Sequence, residues 1–221
     1  MMNKVDIKQW ERREAYEFFA DYEMPYVQIT TRIDLRNLVV LVKKKNLSFY
    51  GVMVYMVLVV INEIEAFHFG IVNDEVVKFH SLGCSFTTMD SKHSVCFSRK
   101  IGILPFLNFM ETFENAKNEA ELHKKTKKTM RDNLGMVYIS CFPWIDFESV
   151  TQPVKCKCND VTPRVLWGKY TLNSDGSHQI HINLQVHHAF QDGWHMALFF
   201  QLLQEKVYQM CNNLTCNSGL I

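Results

Sequence analysis

The chain has 221 residues, 48% of them hydrophobic, and 24 basic side chains against 23 acidic ones leave a formal net charge of +1. Nine glycines and five prolines are too few for a collagen-like, low-complexity or linker-dominated chain, so most of the backbone is expected in regular elements. The length suits one domain over residues 1–221, and the balanced charge lacks the basic excess that meets a nucleic-acid backbone, so no nucleic-acid partner is expected.

Residues 1–10 mix Lys4, Asp6 and Lys8 with isolated apolar side chains and hold no apolar core of signal-peptide length. The longest apolar run, residues 49–61, is broken only by Gly51 and falls well short of the ~20 residues needed to cross a bilayer, so no membrane span is expected. Cysteines 84, 96, 141, 156, 158, 211 and 216 are odd in number and irregular in spacing, which reads as reduced thiols and a cytoplasmic protein. Cys156 and Cys158 lack the second pair that a zinc site would need.

Asp6 is placed to cap a helix over residues 8–20, with Trp10, Ala15, Phe18 and Phe19 on its apolar side and Arg12, Arg13, Glu14 and Glu17 on the other. Met24-Pro25 ends it. Residues 26–33 alternate like a strand, and Asp34 then opens a second helix that closes on Lys43, Lys44 and Lys45, where cations suit the helix dipole. Residues 52–61 are ambiguous, since the valines favour strand and the length favours helix. Residues 67–72, 75–79, 83–88 and 93–98 read as strands, with Asn73-Asp74 turning between the first two. Pro105 starts a long polar-patterned helix whose glutamates at 111, 114, 119 and 121 come early and whose cation run at 123–131 comes late, a solvated surface helix. Residues 135–142, 164–171 and 178–188 are further strands. The last alternates Ile180, Ile182, Leu184 and Val186 with His181, Asn183, Gln185 and His187, which fits a sheet with two unlike faces. A helix over 192–210 and a loose polar tail from about 211 close the chain. The expected class is α+β, a two-layer sandwich in which helices pack a mixed β-sheet.

The chemistry concentrates between Gln185 and His195, where a strand empties into a turn and a helix begins at Asp192. A histidine at a strand end can face a cleft, and an ordinary imidazole pKa near ~6.5 suits a general base that takes a proton from a hydroxyl. Asp192 can cap the closing helix and hold a cation from elsewhere in the fold. A metal site built from His188 and Asp192 with His187 or His195 is the competing reading. Against it, the Asp-Gly turn separates the histidines, and neighbours 187 and 188 on a strand face opposite ways. A purely structural histidine is the third.

The element His187-His188-Ala189-Phe190-Gln191-Asp192-Gly193-Trp194-His195 resembles the signature of the chloramphenicol acetyltransferase family. Further matches follow in the family's order: Trp10 with Arg12-Arg13-Glu14, Phe49-Tyr50 with Val52-Met53-Val54-Tyr55, Ser140-Cys141-Phe142-Pro143-Trp144, and Gly168-Lys169-Tyr170. The second of these makes residues 52–61 a helix. The resemblance implies transfer of an acetyl group from acetyl-CoA, a co-substrate rather than a permanently bound cofactor, to a hydroxyl of chloramphenicol, the chemistry of antibiotic resistance. It implies His188 as the base and Ser140 as the donor to the tetrahedral oxyanion. The base's tautomer would be held by its own backbone carbonyl, so that Asp192 is no triad acid. Asp192 and Arg12 would form a buried ion pair, costly to break by roughly 3 to 5 kcal/mol. Trp144, Lys169 and Tyr170 match positions along the CoA channel, and three identical subunits would share active sites at their interfaces.

Three departures stand out. Phe19 stands where a tyrosine is expected, Leu166 where a threonine is expected, and Phe190-Gln191 replaces Val-Cys, all read as changes to the acceptor pocket. Each lost hydroxyl removes a hydrogen bond to a polyhydroxylated acceptor. The same mechanism on another alcohol or thiol, or a non-catalytic descendant that binds CoA or drugs, are the alternative readings.

Overall fold

The computed structural model describes residues 1–123, 134–154 and 160–216. In chain order these form β1 (Met2–Lys4), a 3-10 turn (Ile7–Gln9), α1 (Arg13–Phe19), β2 (Tyr26–Arg36), α2 (Leu38–Lys44) and α3 (Phe49–Glu63). There follow β3 (Phe69–Val72), β4 (Glu75–Phe79), β5 (Gly83–Met89), β6 (Val95–Phe97), α4 (Phe106–His123), β7 (Met136–Cys141), β8 (Arg164–Trp167), β9 (Thr171–Leu172), β10 (His178–His187) and α5 (Gly193–Cys216). The main sheet runs β2-β10-β8-β7-β5-β6, with β9 paired to β10, and a small sheet runs β1-β4-β3. It is mixed: β10 is antiparallel to β2 and β8, whereas β8, β7 and β5 are parallel neighbours. The α+β class is therefore the one observed.

β10 explains the layering. Ile180, Ile182, Leu184 and Val186 are at most 1% exposed and join the core under the helices, as period two requires. α3 is apolar all round and has nine buried residues, because it packs against α5, α4 and α2 as well as the sheet. Ser48 caps it by accepting a hydrogen bond from the Gly51 amide, and a Cβ on Gly51 would lie 2.8 Å from both Met110 and Phe113 of α4, so glycine is what lets the two helices touch.

The opposite face of β10 is polar yet also buried. Asn183 is fully enclosed and donates to Thr30 Oγ1 and the Val150 carbonyl, while Gln152 Nε2 donates to its amide oxygen. The Gln152 amide in turn donates to Gln185 Oε1. Residues 150–152 are thus fastened over the sheet by hydrogen bonds rather than by apolar contact.

Several boundaries differ from expectation. Asp6 caps only the 3-10 turn, through the Lys8 amide, and the helix starts afresh at Arg13, because Trp10 is pulled against Phe69 and Phe190. Asp34 stays in β2, whose pairing with β10 continues to Arg36; there φ turns to +49° and the Asp34 side chain accepts the Arg36 amide. The second helix begins only at Leu38. The expected loose tail is helical through Cys216, since Cys211 and Leu214 are buried. Most of the basic run at 123–131 and the pair Cys156 and Cys158 lie outside the described residues.

Asn183→Ala removes the partner of Gln152 Nε2 and of the Val150 carbonyl and is expected to lower stability by about 1 to 3 kcal/mol. Opening the exposed Lys4–Glu75 pair with Lys4→Ala should change it far less. Urea denaturation of both variants gives the comparison, and equal losses would contradict it.

Candidate active site

Where β10 ends, the chain folds back tightly. The amides of Phe190 and Gln191 both donate to the His187 carbonyl, at 3.0 and 3.1 Å, and the His188 amide donates to the Pro25 carbonyl at 2.7 Å. This geometry brings the Gln191 carbonyl within 3.2 Å of His188 Nδ1. The proton is therefore held on Nδ1 and Nε2 is left as the basic nitrogen. The expected acceptor, the histidine's own carbonyl, is replaced by that of Gln191 because the turn is closed so tightly. Phe19 stacks on the imidazole with centroids 4.0 Å apart and planes 13° from parallel, so it covers a face of the histidine. Phe190 and Gln191 point away from any pocket: both are fully buried, Phe190 against Trp10, Tyr16 and His187, and Gln191 through its Nε2 to the Ala66 carbonyl. Their substitution anchors the turn from within.

Asp192 has two tasks. Its Oδ1 accepts the Trp194 amide at 3.0 Å, capping α5, and also faces His195 Nδ1 at 2.8 Å; its Oδ2 pairs with Arg12 at 2.9 Å. Burial pushes its pKa up, but the Arg12 hydrogen bond and the nearby His195 and Arg12 charges together outweigh it and hold the carboxyl below its ordinary value. The pair is not sealed from water, with side chains 18% and 37% exposed, so breaking it costs less than the several kcal/mol expected of a fully buried one. His187 lies deeper. Burial, opposed by Asp160 and reinforced by His188, pushes its pKa down to about 4, and its Nδ1 accepts the Ala189 amide.

A cleft of about 1180 Å³ opens on the polar side of the sheet, lined among others by Thr87, Phe97, Ser140, Phe142, Gln152 and Leu166. Ser140 Oγ is 2.7 Å from Thr87 Oγ1. Thr87 was not foreseen, although Ser85 and Thr87 alternate with Cys84 and Phe86 in the sequence and so belong to the polar face. Leu166 is 3% exposed at the cleft floor, paired with Ser140 on one side and Asn183 on the other. His188 lies five residues beyond Asn183 and two strands from Ser140, about 16 Å along the strands and about 10 Å across them. Within one chain, then, the histidine and the serine lie apart.

Of the remaining candidates, Trp144 is 65% exposed just beyond β7, and Lys169 is exposed on the adjoining loop, its amide donating to the Ile145 carbonyl at 2.8 Å. Gly168 permits that approach, since a Cβ there would lie 2.7 Å from the Ile145 carbonyl oxygen. Tyr170 instead packs inward on Phe49 and His178. Among the described residues no three His, Cys, Asp or Glu side chains converge as a metal site requires, and none of the helices there is long and apolar enough to cross a membrane.

Comparison with known proteins assigns the mixed sheet and the histidine-bearing turn to an acetyltransferase. The family model described as chloramphenicol acetyltransferase matches residues 1–204. Chloramphenicol acetyltransferase 3 of Escherichia coli is 28% identical over 95% of this chain and 97% of its own, and a Staphylococcus aureus chloramphenicol acetyltransferase is 29% identical over 92% and 94%. A solved chloramphenicol acetyltransferase superimposes with a TM-score of 0.85 at 22% identity, covering 94% of this chain and all of that one. The fold also extends to the dihydrolipoamide acetyltransferase of Azotobacter vinelandii, with a TM-score of 0.68 at 14% identity over 96% of this chain and 93% of that one. The chain belongs to the chloramphenicol acetyltransferase family.

His187 makes a pH prediction. Above pH ~6.5 it is neutral whether folded or not; between ~6.5 and about 4 the unfolded chain takes up a proton that the folded chain refuses, so stability falls as pH falls and levels off below. At ~1.4 kcal/mol per pH unit the loss is about 3 kcal/mol. His187→Gln should flatten the profile in that window, measured by urea denaturation across pH; an unaltered slope would remove His187 as its cause.

Proposed function

We propose that the protein transfers the acetyl group of acetyl-CoA to a hydroxyl of chloramphenicol, with His188 as general base and Ser140 as oxyanion donor. The observation that carries this is the contact of His188 Nδ1 with the Gln191 carbonyl, which leaves Nε2 free to accept a proton. Nε2 takes the hydroxyl proton as the oxygen attacks the thioester carbon. The tetrahedral oxyanion receives a hydrogen bond from Ser140, whose own oxygen accepts from Thr87. Collapse of the intermediate expels the CoA thiolate, the imidazolium returns the proton, and acetyl ester and free CoA leave. Arg12 and Asp192 are positioning residues that tie α1 to the turn. Trp144 and Lys169 supply an exposed ring and a local cation for the pantetheine and phosphates; Tyr170 supports this loop from beneath.

The separation of His188 from Ser140 supports a shared site in which one subunit's histidine faces its neighbour's cleft. Phe18, Tyr22, Met24 and Trp194 are 49% to 70% exposed around Phe19 and the histidine turn, an apolar surface of the kind a neighbouring subunit covers. A homotrimer, the assembly of a closed cyclic oligomer with one site per interface, satisfies this arrangement. Leu166 at the cleft floor favours, as the second reading, the same reaction on a less hydroxylated alcohol.

Thiol release from acetyl-CoA, with and without chloramphenicol, tests the proposal. His188→Ala should abolish acceptor-dependent release, and Ser140→Ala should lower kcat by ~10- to 1,000-fold with little change in either KM. Release with other alcohols only would select the second reading, and CoA binding without turnover would leave a non-catalytic descendant. If sites are shared, refolding the two impaired variants together should raise activity above that of either alone, to about a quarter of native, the fraction of interfaces joining an intact histidine to an intact serine. No recovery in such mixtures would refute the shared site.

A further inference from the structure

The floor of the cleft repeats with the period of its strands. Tyr138 and Ser140 of β7 pair with Arg164 and Leu166 of β8, all four on the polar face, so Arg164 lies one alternation, about 7 Å, from the Ser140–Leu166 row. Arg164 donates to Asp160 and to the Thr162 carbonyl, and its guanidinium sits 5.6 Å from the Tyr138 ring centroid. The two charged side chains are only 9% and 15% exposed, and they are the sole Asp, Glu, Lys or Arg residues lining the cleft among the described residues. Around them the walls carry Phe69, Phe79, Phe97 and Phe142.

Resting on the function proposed above, we infer that the Asp160–Arg164 pair is a recognition point for the acceptor, selecting aromatic alcohols that carry a hydrogen-bond acceptor such as a nitro or carbonyl group at the end remote from the acetylated hydroxyl. A buried ion pair is a poor way to stabilise a fold, since apolar residues of similar volume do as well or better. It is a good way to hold a guanidinium still. Arg164 has five N–H donors in a rigid fork; Asp160 and Thr162 take one each, which fixes the plane and leaves donors over for a ligand. Asp160 also neutralises the cation, so the site has no net call for an anionic group and suits an uncharged one. The aromatic walls receive the body of the molecule between the two polar ends.

The experiment compares chloramphenicol with its analogue in which hydrogen replaces the nitro group, using the native protein and the double variant Asp160→Leu/Arg164→Leu, which removes both charges together and orphans neither. The readout is the ratio of the two kcat/KM values within each protein, in which any loss of folded enzyme cancels. The native ratio should be about 10 or more in favour of the nitro compound, and in the double variant it should collapse to within about twofold of unity. A native ratio near unity, or a ratio that survives the double substitution, overturns the inference while leaving the proposed reaction intact. Should neither compound turn over, calorimetric affinities for the same four combinations replace the rates. Absence of binding to the native protein would remove the proposed function, and the inference with it.

Discussion

β10 is buried on both faces, and its period of two decides what each face meets. Its isoleucines, leucine and valine hold the helices; its asparagine and glutamine hold residues 150–152 over the sheet. A slip of one residue in its register would drive Asn183 and Gln185 into hydrocarbon and Leu184 into the polar layer. The sheet can therefore pair β2 and β8 with it in one register only, and that register sets how far His188 projects beyond the sheet.

From this strand the functional features follow in sequence. The chain leaves the sheet at His187, turns within four residues and starts α5 at Asp192. Closing so short a turn requires anchors, supplied by Phe190 in an aromatic cluster, by Gln191 on the Ala66 carbonyl and by Arg12 on Asp192. The histidine is then oriented by the backbone of the turn itself, so its tautomer depends on main-chain geometry more than on any neighbouring acid.

Much of this was legible in the sequence. The alternation from Ile180 to His187 announced a two-faced strand, and Asp192 before Gly193 announced both a turn and a helix cap. The apolar run after Ser48 was readable as a helix only through family resemblance, because a segment buried on every side has no periodic signal. Local patterns misled wherever a distant contact intervened: Asp34 resembles a helix cap, yet pairing with β10 keeps it in a strand. The roles of Phe19 and Gln191 were illegible for the same reason. Nothing in the one-dimensional pattern says that a ring on α1 will lie flat on a ring after β10. Likewise, the chain distance between Ser140 and His188 conveys nothing of the strand directions that keep them apart.

The stack of Phe19 on His188 gives the imidazole a handedness toward reagents. One face of the ring is shielded by the phenyl group, and Nδ1 is turned to the Gln191 carbonyl. An electrophile that enters the site meets a histidine with a single reactive nitrogen, so alkylation at this position is regioselective for Nε2 by construction.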